Sequence, residues 1–259
     1  MIDRLARGAA ERAPGAALIL ALLAAIEAAV RAGAVNVALV PAPTRIAERL
    51  GEIIASGAFA APLAATLWLL FSAYFAASAL AVGLGLLMGR YRAIDNLFEP
   101  LIELLRPLPK PALLPPLILF LGLGAPMKLV IVGLAVFFPV VINTVQGVRG
   151  VDPVLIDTAR TFGHGQRNIL LKVILPSALP FILAGMRVSL ALGLILAVIA
   201  EMLAGTGGLG YLVLDMQRSF KVTDMYAWLV LLAVLGYALN AGFNRVERRA
   251  AHWALAQPT

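Results

Sequence analysis

Residues 157–176, DTARTFGHGQRNILLKVILP, form a polar stretch between two long apolar segments. The run before it, Leu129 to Val148, carries no charge, and residues 178–203 after it carry only Arg187 and Glu201. An α-helix needs about 20 mostly apolar residues to cross the roughly 30 Å hydrocarbon layer of a bilayer. Both neighbours reach that length, which predicts two membrane-spanning helices joined by a polar segment outside the lipid.

The rest of the chain continues this pattern. Hydrophobic residues make up 61% of the 259 residues and charged residues 14%, which is outside the range of ordinary soluble domains. Because a backbone in lipid must satisfy its own hydrogen bonds, and strand-like alternation is absent, we expect an all-α polytopic membrane bundle. Six spans are predicted, at 15–36, 64–88, 105–124, 127–148, 178–203 and 225–245.

The third predicted span is the least regular of the six. Its clean apolar part, 112–124, is too short to cross a bilayer alone. Five prolines crowd it: Pro107, Pro109, Pro111, Pro115 and Pro116. The span must therefore borrow residues near Arg106, or be irregular and shielded by neighbouring helices.

The distribution of positive charge predicts the orientation. Most of the 21 Lys and Arg residues lie in the N-terminal segment and in the segments around 90–110, 149–172 and 245–249. Since cytoplasmic loops are enriched in Lys and Arg, both termini and the 157–176 stretch are expected in the cytoplasm. Topology and anionic lipids explain the net charge of +7 without a nucleic-acid partner. The first span is expected to remain uncleaved, with Glu27 and Arg31 spaced for a helical ion pair.

The polar stretch is predicted to begin with a short helix at Asp152-Pro153, because Asp caps free N–H groups and Pro suits the first helical position. Helical spacing places Leu155, Ala159 and Phe162 on one face. Gly163 and Gly165 are expected to end this helix through the left-handed conformation that glycine adopts readily. A second helix, 166–174, then continues into the fifth span.

The spacing of residues in this loop carries a family resemblance. Importer permeases share the pattern E-A-A, three residues, G, nine residues, I, one residue, L-P. This chain has Asp157-Thr158-Ala159, then Gly163, then Val173, then Leu175-Pro176, with every gap matched. It resembles the membrane subunits of binding-protein-dependent ABC importers, over roughly residues 60–250. The flanking segments, such as LIELLRPLPKPALLP (101–115) and GLGYLV (208–213), resemble the nitrate, sulfonate and taurine branch.

The resemblance implies a fold, a function and a set of partners. The fold is that of a type I importer permease, with residues 1–259 as a single transmembrane domain. The function is to form the path for a small, anionic solute such as nitrate, a sulfonate or taurine. The partners are a second copy of the chain, two cytoplasmic ATPase subunits that bind ATP and Mg, and a periplasmic or lipid-anchored binding protein, in a bacterial inner membrane. The 152–176 loop receives the ATPase, with Leu155, Asp157, Thr158, Ala159, Arg160, Phe162 and Gly163 as the docking residues.

Three polar residues inside the spans are candidates for the translocation path: Asn143, Arg187 and Glu201. A charge inside the membrane is a functional candidate by default, and Arg187 could attract an anion. Its structural alternative is a side chain that reaches the interface or pairs with a neighbouring helix. For Glu201 the alternative is to brace the Gly205–Gly210 loop, and for Asn143 it is an interhelical hydrogen bond.

Other function classes find little support in the sequence. The chain has no Gly-Lys pair and hence no P-loop, so the ATPase must be another chain. It has no cysteine, and its two histidines, His164 and His252, lie in a loop and in the tail. No acid, base or metal set can be assembled from these residues, which argues against an enzyme. A channel or secondary transporter that works alone is the remaining alternative, although the inverted repeats typical of many such transporters are absent.

Overall fold

The computed structural model describes the backbone of residues 2–251 and the side chains of residues 14, 15 and 17–251. This part of the chain is helical: α1 (Ile2–Arg31), α2 (Pro43–Ala55), α3 (Ala60–Arg90), α4 (Arg92–Leu105), α5 (Leu114–Leu121), α6 (Ala125–Arg149), α7 (Pro153–Thr161), α8 (Gln166–Ile169), α9 (Leu175–Ala204), α10 (Leu209–Arg218) and α11 (Val222–Ala250). A 3-10 turn, Lys110–Leu113, precedes α5, and a π turn, Leu170–Ile174, joins α8 to α9. His252 lies outside the described residues.

Four helices in the described part of the chain are long and apolar enough to cross a bilayer. They are α3, α6, the continuous helix Gln166–Ala204 and α11. They confirm the second, fourth, fifth and sixth predicted spans. The first predicted span, 15–36, falls on α1, whose early side chains are not described, and it stays a prediction.

The third predicted span is not one continuous helix but irregular, which is one of the two alternatives expected for it. Residues 105–124 hold the end of α4, the 3-10 turn and the eight-residue α5. The two halves, Arg92–Leu105 and Lys110–Leu121, are bent by 94°. Proline explains the break, because it lacks an N–H donor and its ring clashes with the carbonyl of the preceding helical turn.

Close approach between α3 and α6 shows how the broken pair is used. A Cβ on Gly85 would lie 2.6 Å from the Cβ of Thr144, and one on Gly89 would lie 2.6 Å from the Cβ of Val148. Because a later residue of α3 lies against a later residue of α6, the two helices run parallel. The chain must therefore cross the membrane once between them, and the pair formed by α4 and α5 is the element available for that crossing. The lack of a side chain at these two glycines permits this close packing of the helices.

Helix α9 packs against α6 in the opposite direction. A Cβ on Gly147 would lie 2.8 Å from the Cβ of Phe181, and one on Gly185 would lie 2.7 Å from the Cβ of Asn143. Larger side chains at these two glycines would push the helices apart. The three helices α3, α6 and α9 share one hydrophobic core. Its fully buried side chains include Leu70, Met127, Ile131, Val132, Val136, Val140, Val141, Ala197 and Ala200.

The chain separates into two compact units, residues 61–211 with 233–251, described above, and residues 2–60 with 212–232. In the unit formed by residues 2–60 and 212–232, the predicted ion pair between Glu27 and Arg31 is confirmed, since Arg31 Nε lies 2.7 Å from Glu27 Oε1. The Glu27 carboxylate also accepts bonds from the backbone N–H and hydroxyl of Thr44 at the start of α2. Arg49 on α2 lies 2.6 Å from Asp224 at the start of α11. The expectation of a single domain over 1–259 stays a prediction.

Candidate functional site

The loop between α6 and α9 begins as its sequence predicts. Helix α7 starts at Pro153, and the Asp152 carboxylate accepts a hydrogen bond of 2.8 Å from the N–H of Val154. At the other end, Gly163 adopts φ +78°, the left-handed conformation that ends a helix. The same expectation for Gly165 is wrong, because this residue has φ −67° and serves as the N-cap of α8.

The loop is tied to the membrane helices by a core of its own. Its buried members come from α6, the link between α6 and α7, α7, α8, the π turn and α9. They are Val148, Val151, Ala159, Ile169, Ile174, Ala178 and Ile182. At its edge, Arg90 at the end of α3 donates a hydrogen bond to the side chain of Gln166. Helix α7 is therefore fixed to α6 and α9 by packed side chains.

The predicted docking residues divide into a buried and an exposed set. Ala159 is buried in the loop core, whereas Leu155 is 50% exposed and Phe162 is 78% exposed. The three differ in exposure, and the expectation that they share one face stays a prediction. The exposed set also contains Asp157, Thr158 and Arg160. Asp157 and Arg160 pair at 2.9 Å, and the Thr158 hydroxyl donates to the Val154 carbonyl at 2.7 Å.

The π turn connects this loop to the fifth span without an interruption. Leu175 donates its N–H to the carbonyl of Leu170, five residues earlier, so the turn is widened by one residue. Pro176 follows directly, and its ring would clash with the carbonyl four residues before it in a regular α-helix. The wider turn accommodates this proline, and the helix runs for 39 residues from Gln166 to Ala204.

Glu201, one of the three translocation candidates, is 1% exposed. Its Oε2 accepts hydrogen bonds from the Thr66 hydroxyl at 3.0 Å and from the Gly210 N–H at 2.9 Å. Thr66 in turn accepts from the N–H of Leu209 at 2.9 Å. Gly208, at φ +99°, would bring a Cβ within 2.3 Å of the Glu201 carboxyl group. The side chain thus braces the 205–210 loop, as one alternative proposed, while its part in transport stays a prediction.

Arg187 and Asn143 occupy different surroundings. Arg187 lies beside α11, with its Nη1 3.3 Å from Glu247 and 3.4 Å from Asn244, which is the pairing with a neighbouring helix that was the structural alternative. Asn143 donates to the Pro139 carbonyl of its own helix at 2.8 Å. Among the described residues Asn143 makes no hydrogen bond to another helix, so the interhelical bond expected for it is wrong there.

Asn143 lines a cavity of about 490 Å³, which Arg187 and Glu201 do not reach. Two lining residues that sequence reasoning did not select are Arg106 and Lys110, both beside the break between α4 and α5. Thr66, the partner of Glu201, was also missed. A lone hydroxyl in a long apolar run was the available signal for Thr66, because a buried polar group needs a partner.

Comparison with known proteins identifies the family. A model of the family described as "Binding-protein-dependent transport system inner membrane component" matches residues 81–252. The chain belongs to this family. This permease is 34% identical to the taurine transport system permease protein TauC of Escherichia coli K12, over 82% of its own length and 79% of that protein. It is 31% identical to a putative aliphatic sulfonates transport permease protein, SsuC of Bacillus subtilis 168, over 85% of its length and 80% of that protein.

Solved structures agree with the fold of the permease. A chain of the MetNI methionine ABC transporter in an inward-facing conformation superposes with a TM-score of 0.61 at 22% identity. The match covers 71% of this permease and 92% of that chain. A chain of an amino acid ABC transporter gives a TM-score of 0.59 at 19% identity. The expectation of an all-α, type I ABC importer permease is confirmed.

Proposed function

We propose that this permease forms the path for a small organic anion in an ATP-driven importer, and that its 152–176 loop receives a separate ATPase. The observation that carries the second part is the exposed apolar surface formed by α7 and by Phe162, the residue that follows it. Val154 is 66% exposed and Phe162 78% exposed, outside every helix long enough to span a membrane. An apolar patch rimmed by charged residues, here Asp157 and Arg160, is typical of a protein interface.

The loop also has the connections that a coupling element needs. Ala159 holds α7 in the core shared with α6 and α9, and Gln166 accepts a bond from Arg90 of α3. Force applied by a partner to α7 would thus reach three membrane helices. In this scheme the partner binds ATP and Mg, and the permease itself carries out no catalysis.

The anion assignment is supported by the relatives, whose names specify taurine and aliphatic sulfonates. We propose the assembly of two permease copies, two ATPase subunits and a periplasmic or lipid-anchored binding protein, in a bacterial inner membrane with both termini in the cytoplasm. The contacts within residues 61–211 and 233–251 fit a C-terminal end on the cytoplasmic side. Since Gly236 lies against Leu194 and Arg187 pairs with Glu247, α11 runs antiparallel to α9 and its C-terminal end shares a side with the loop.

Co-purification from cells that express the chain with its genomic neighbours tests the docking surface. Phe162→Asp should reduce recovery of the ATPase by at least about 30-fold, because truncating a central interface residue costs about 2 kcal/mol or more. Phe220→Asp is the matched control, since Phe220 is 88% exposed and lies outside the loop. Equal ATPase recovery with both variants, or a wild-type chain that takes up solute with no ATPase bound, contradicts the proposal.

A further inference from the structure

The cavity that contains Asn143 lies along the middle of two membrane helices. Its wall includes Ala135, Phe138 and Ile142 of α6 together with Val188, Leu192 and Leu196 of α9, and its volume is about 490 Å³. That volume is within the range of pockets that hold small molecules. Apart from a few polar groups the wall is apolar, as is usual for a site that binds an organic ligand.

The polar groups of this cavity are positively charged or neutral. Lys110 and Arg106 approach it from the break between α4 and α5, and Asn143 faces it from α6. Among the described residues, no carboxylate lies within ion-pair distance of Lys110. In the described part of the chain, the carboxylate that the Arg106 guanidinium contacts is that of Glu103, at 3.6 Å and with both side chains exposed. The charge in the cavity is therefore left largely uncompensated by the protein.

Lys110 is held in place while retaining free donors. Its Nζ lies 4.8 Å from the centre of the Phe138 ring, an attractive cation–π contact. It also donates one hydrogen bond to the Arg106 carbonyl. Since an ammonium group has three N–H donors, up to two remain for a ligand. The 3-10 turn that carries Lys110 interrupts the α-helical path between α4 and α5. Such a break in a membrane segment is tolerated where it lines a cavity.

We propose that this cavity is a solute-binding site for a small organic anion, with Lys110 and Arg106 binding a compact oxyanion head. Asn143 completes the polar end, and Phe138, Leu192 and Leu196 pack against a short apolar tail. This inference rests on the proposed import of an organic anion and adds to it the cavity and the residues that bind the anion. A charge-assisted hydrogen bond contributes more than a neutral one, so a neutral ligand of the same shape binds less well.

Saturation-transfer NMR on the purified permease in phosphatidylcholine nanodiscs tests the site with butane-1-sulfonate. The neutral comparison compound is butane-1-sulfonamide, and the variants are Lys110→Met, Lys110→Arg and the control Lys221→Met, a lysine that does not line the cavity. We expect saturable binding of the sulfonate that is about tenfold or more weaker in Lys110→Met. Lys110→Arg and Lys221→Met should bind nearly as the wild type does. No ATPase is needed, so this result is independent of the docking test.

Several results would overturn the proposal. They are equal sulfonate binding by the wild type and Lys110→Met, equal binding of the sulfonamide and the sulfonate, and the absence of saturable binding. A lipid phosphate shares the oxyanion chemistry, so the titration is repeated in phosphatidylglycerol nanodiscs. Sulfonate binding that persists there supports the solute site. Binding that anionic lipid abolishes in the wild type assigns the cavity to a lipid headgroup and refutes the solute assignment.

Discussion

Replacing Gly208 by alanine should destabilise the permease strongly, for two separable reasons. At φ +99° an alanine adopts a backbone conformation that costs about 1–3 kcal/mol. Its Cβ would also lie 2.3 Å from the buried Glu201 carboxyl group, far inside the separation of about 3.5–4 Å that non-bonded carbons prefer. Overpacking of this kind costs typically about 1–3 kcal/mol. The expected total is about 2–6 kcal/mol.

A double-mutant cycle separates the two contributions. The Glu201 carboxylate cannot easily retreat, because Thr66 and Gly210 hold it by hydrogen bonds. In a Glu201→Ala background the clash disappears and only the backbone strain remains, so we expect a coupling free energy of about 1–3 kcal/mol. Equilibrium unfolding in mixed detergent micelles measures all four corners of the cycle.

Gly207 offers the matched control. A Cβ there meets nothing within 4 Å, and its backbone is outside the left-handed region, so Gly207→Ala should change the free energy of unfolding by less than about 0.5 kcal/mol. If Gly208→Ala were as stable as Gly207→Ala, both parts of this reasoning would fail. Strictly additive effects of Gly208→Ala and Glu201→Ala would refute the clash alone.

Two further substitutions test the packing of α3 against α6 and the role of Arg187. Gly85→Leu should abolish recovery of stable permease, because the new Cβ would lie 2.6 Å from that of Thr144. Its yield and melting temperature are compared with those of Gly83→Leu, a position where a side chain meets open space. Equal values for the two variants would contradict the close approach of the helices. Arg187→Ala should change the free energy of unfolding by less than about 1 kcal/mol, since half-exposed ion pairs contribute little, and should leave the KM for sulfonate uptake unchanged. A tenfold rise in that KM would instead place Arg187 in the translocation path.

The features that the sequence predicts well are local ones. Hydropathy finds α3, α6, α9 and α11 because crossing lipid requires a run of apolar residues, whatever the neighbours are. The start of α7 at Asp152-Pro153 follows from capping within a few residues.

The features that the sequence does not reveal depend on distant contacts. Thr66 and Glu201 are 135 positions apart, and no periodicity links them. The cavity brings Lys110 to Phe138 only because the chain bends by 94° between α4 and α5. Prolines indicate that this segment breaks, but the direction of the bend is set by packing against α6. The exposure of Phe162 likewise depends on which face of α7 the loop core covers.

The unbroken helix from Gln166 to Ala204 has a mechanical consequence. Its backbone approaches α6 closely at Gly185, and Phe181 lies close to Gly147 of α6. If the helix rotated as a rigid body about this region, Ile182 would lie near the pivot. At 1.5 Å per residue, Gln166 lies about 24 Å from a pivot at Ile182 and Glu201 about 29 Å on the other side. The two ends of the helix would then move perpendicular to its axis, in opposite directions and by similar distances. A shift of about 4 Å at the loop would appear as about 5 Å, reversed, at the buried carboxylate.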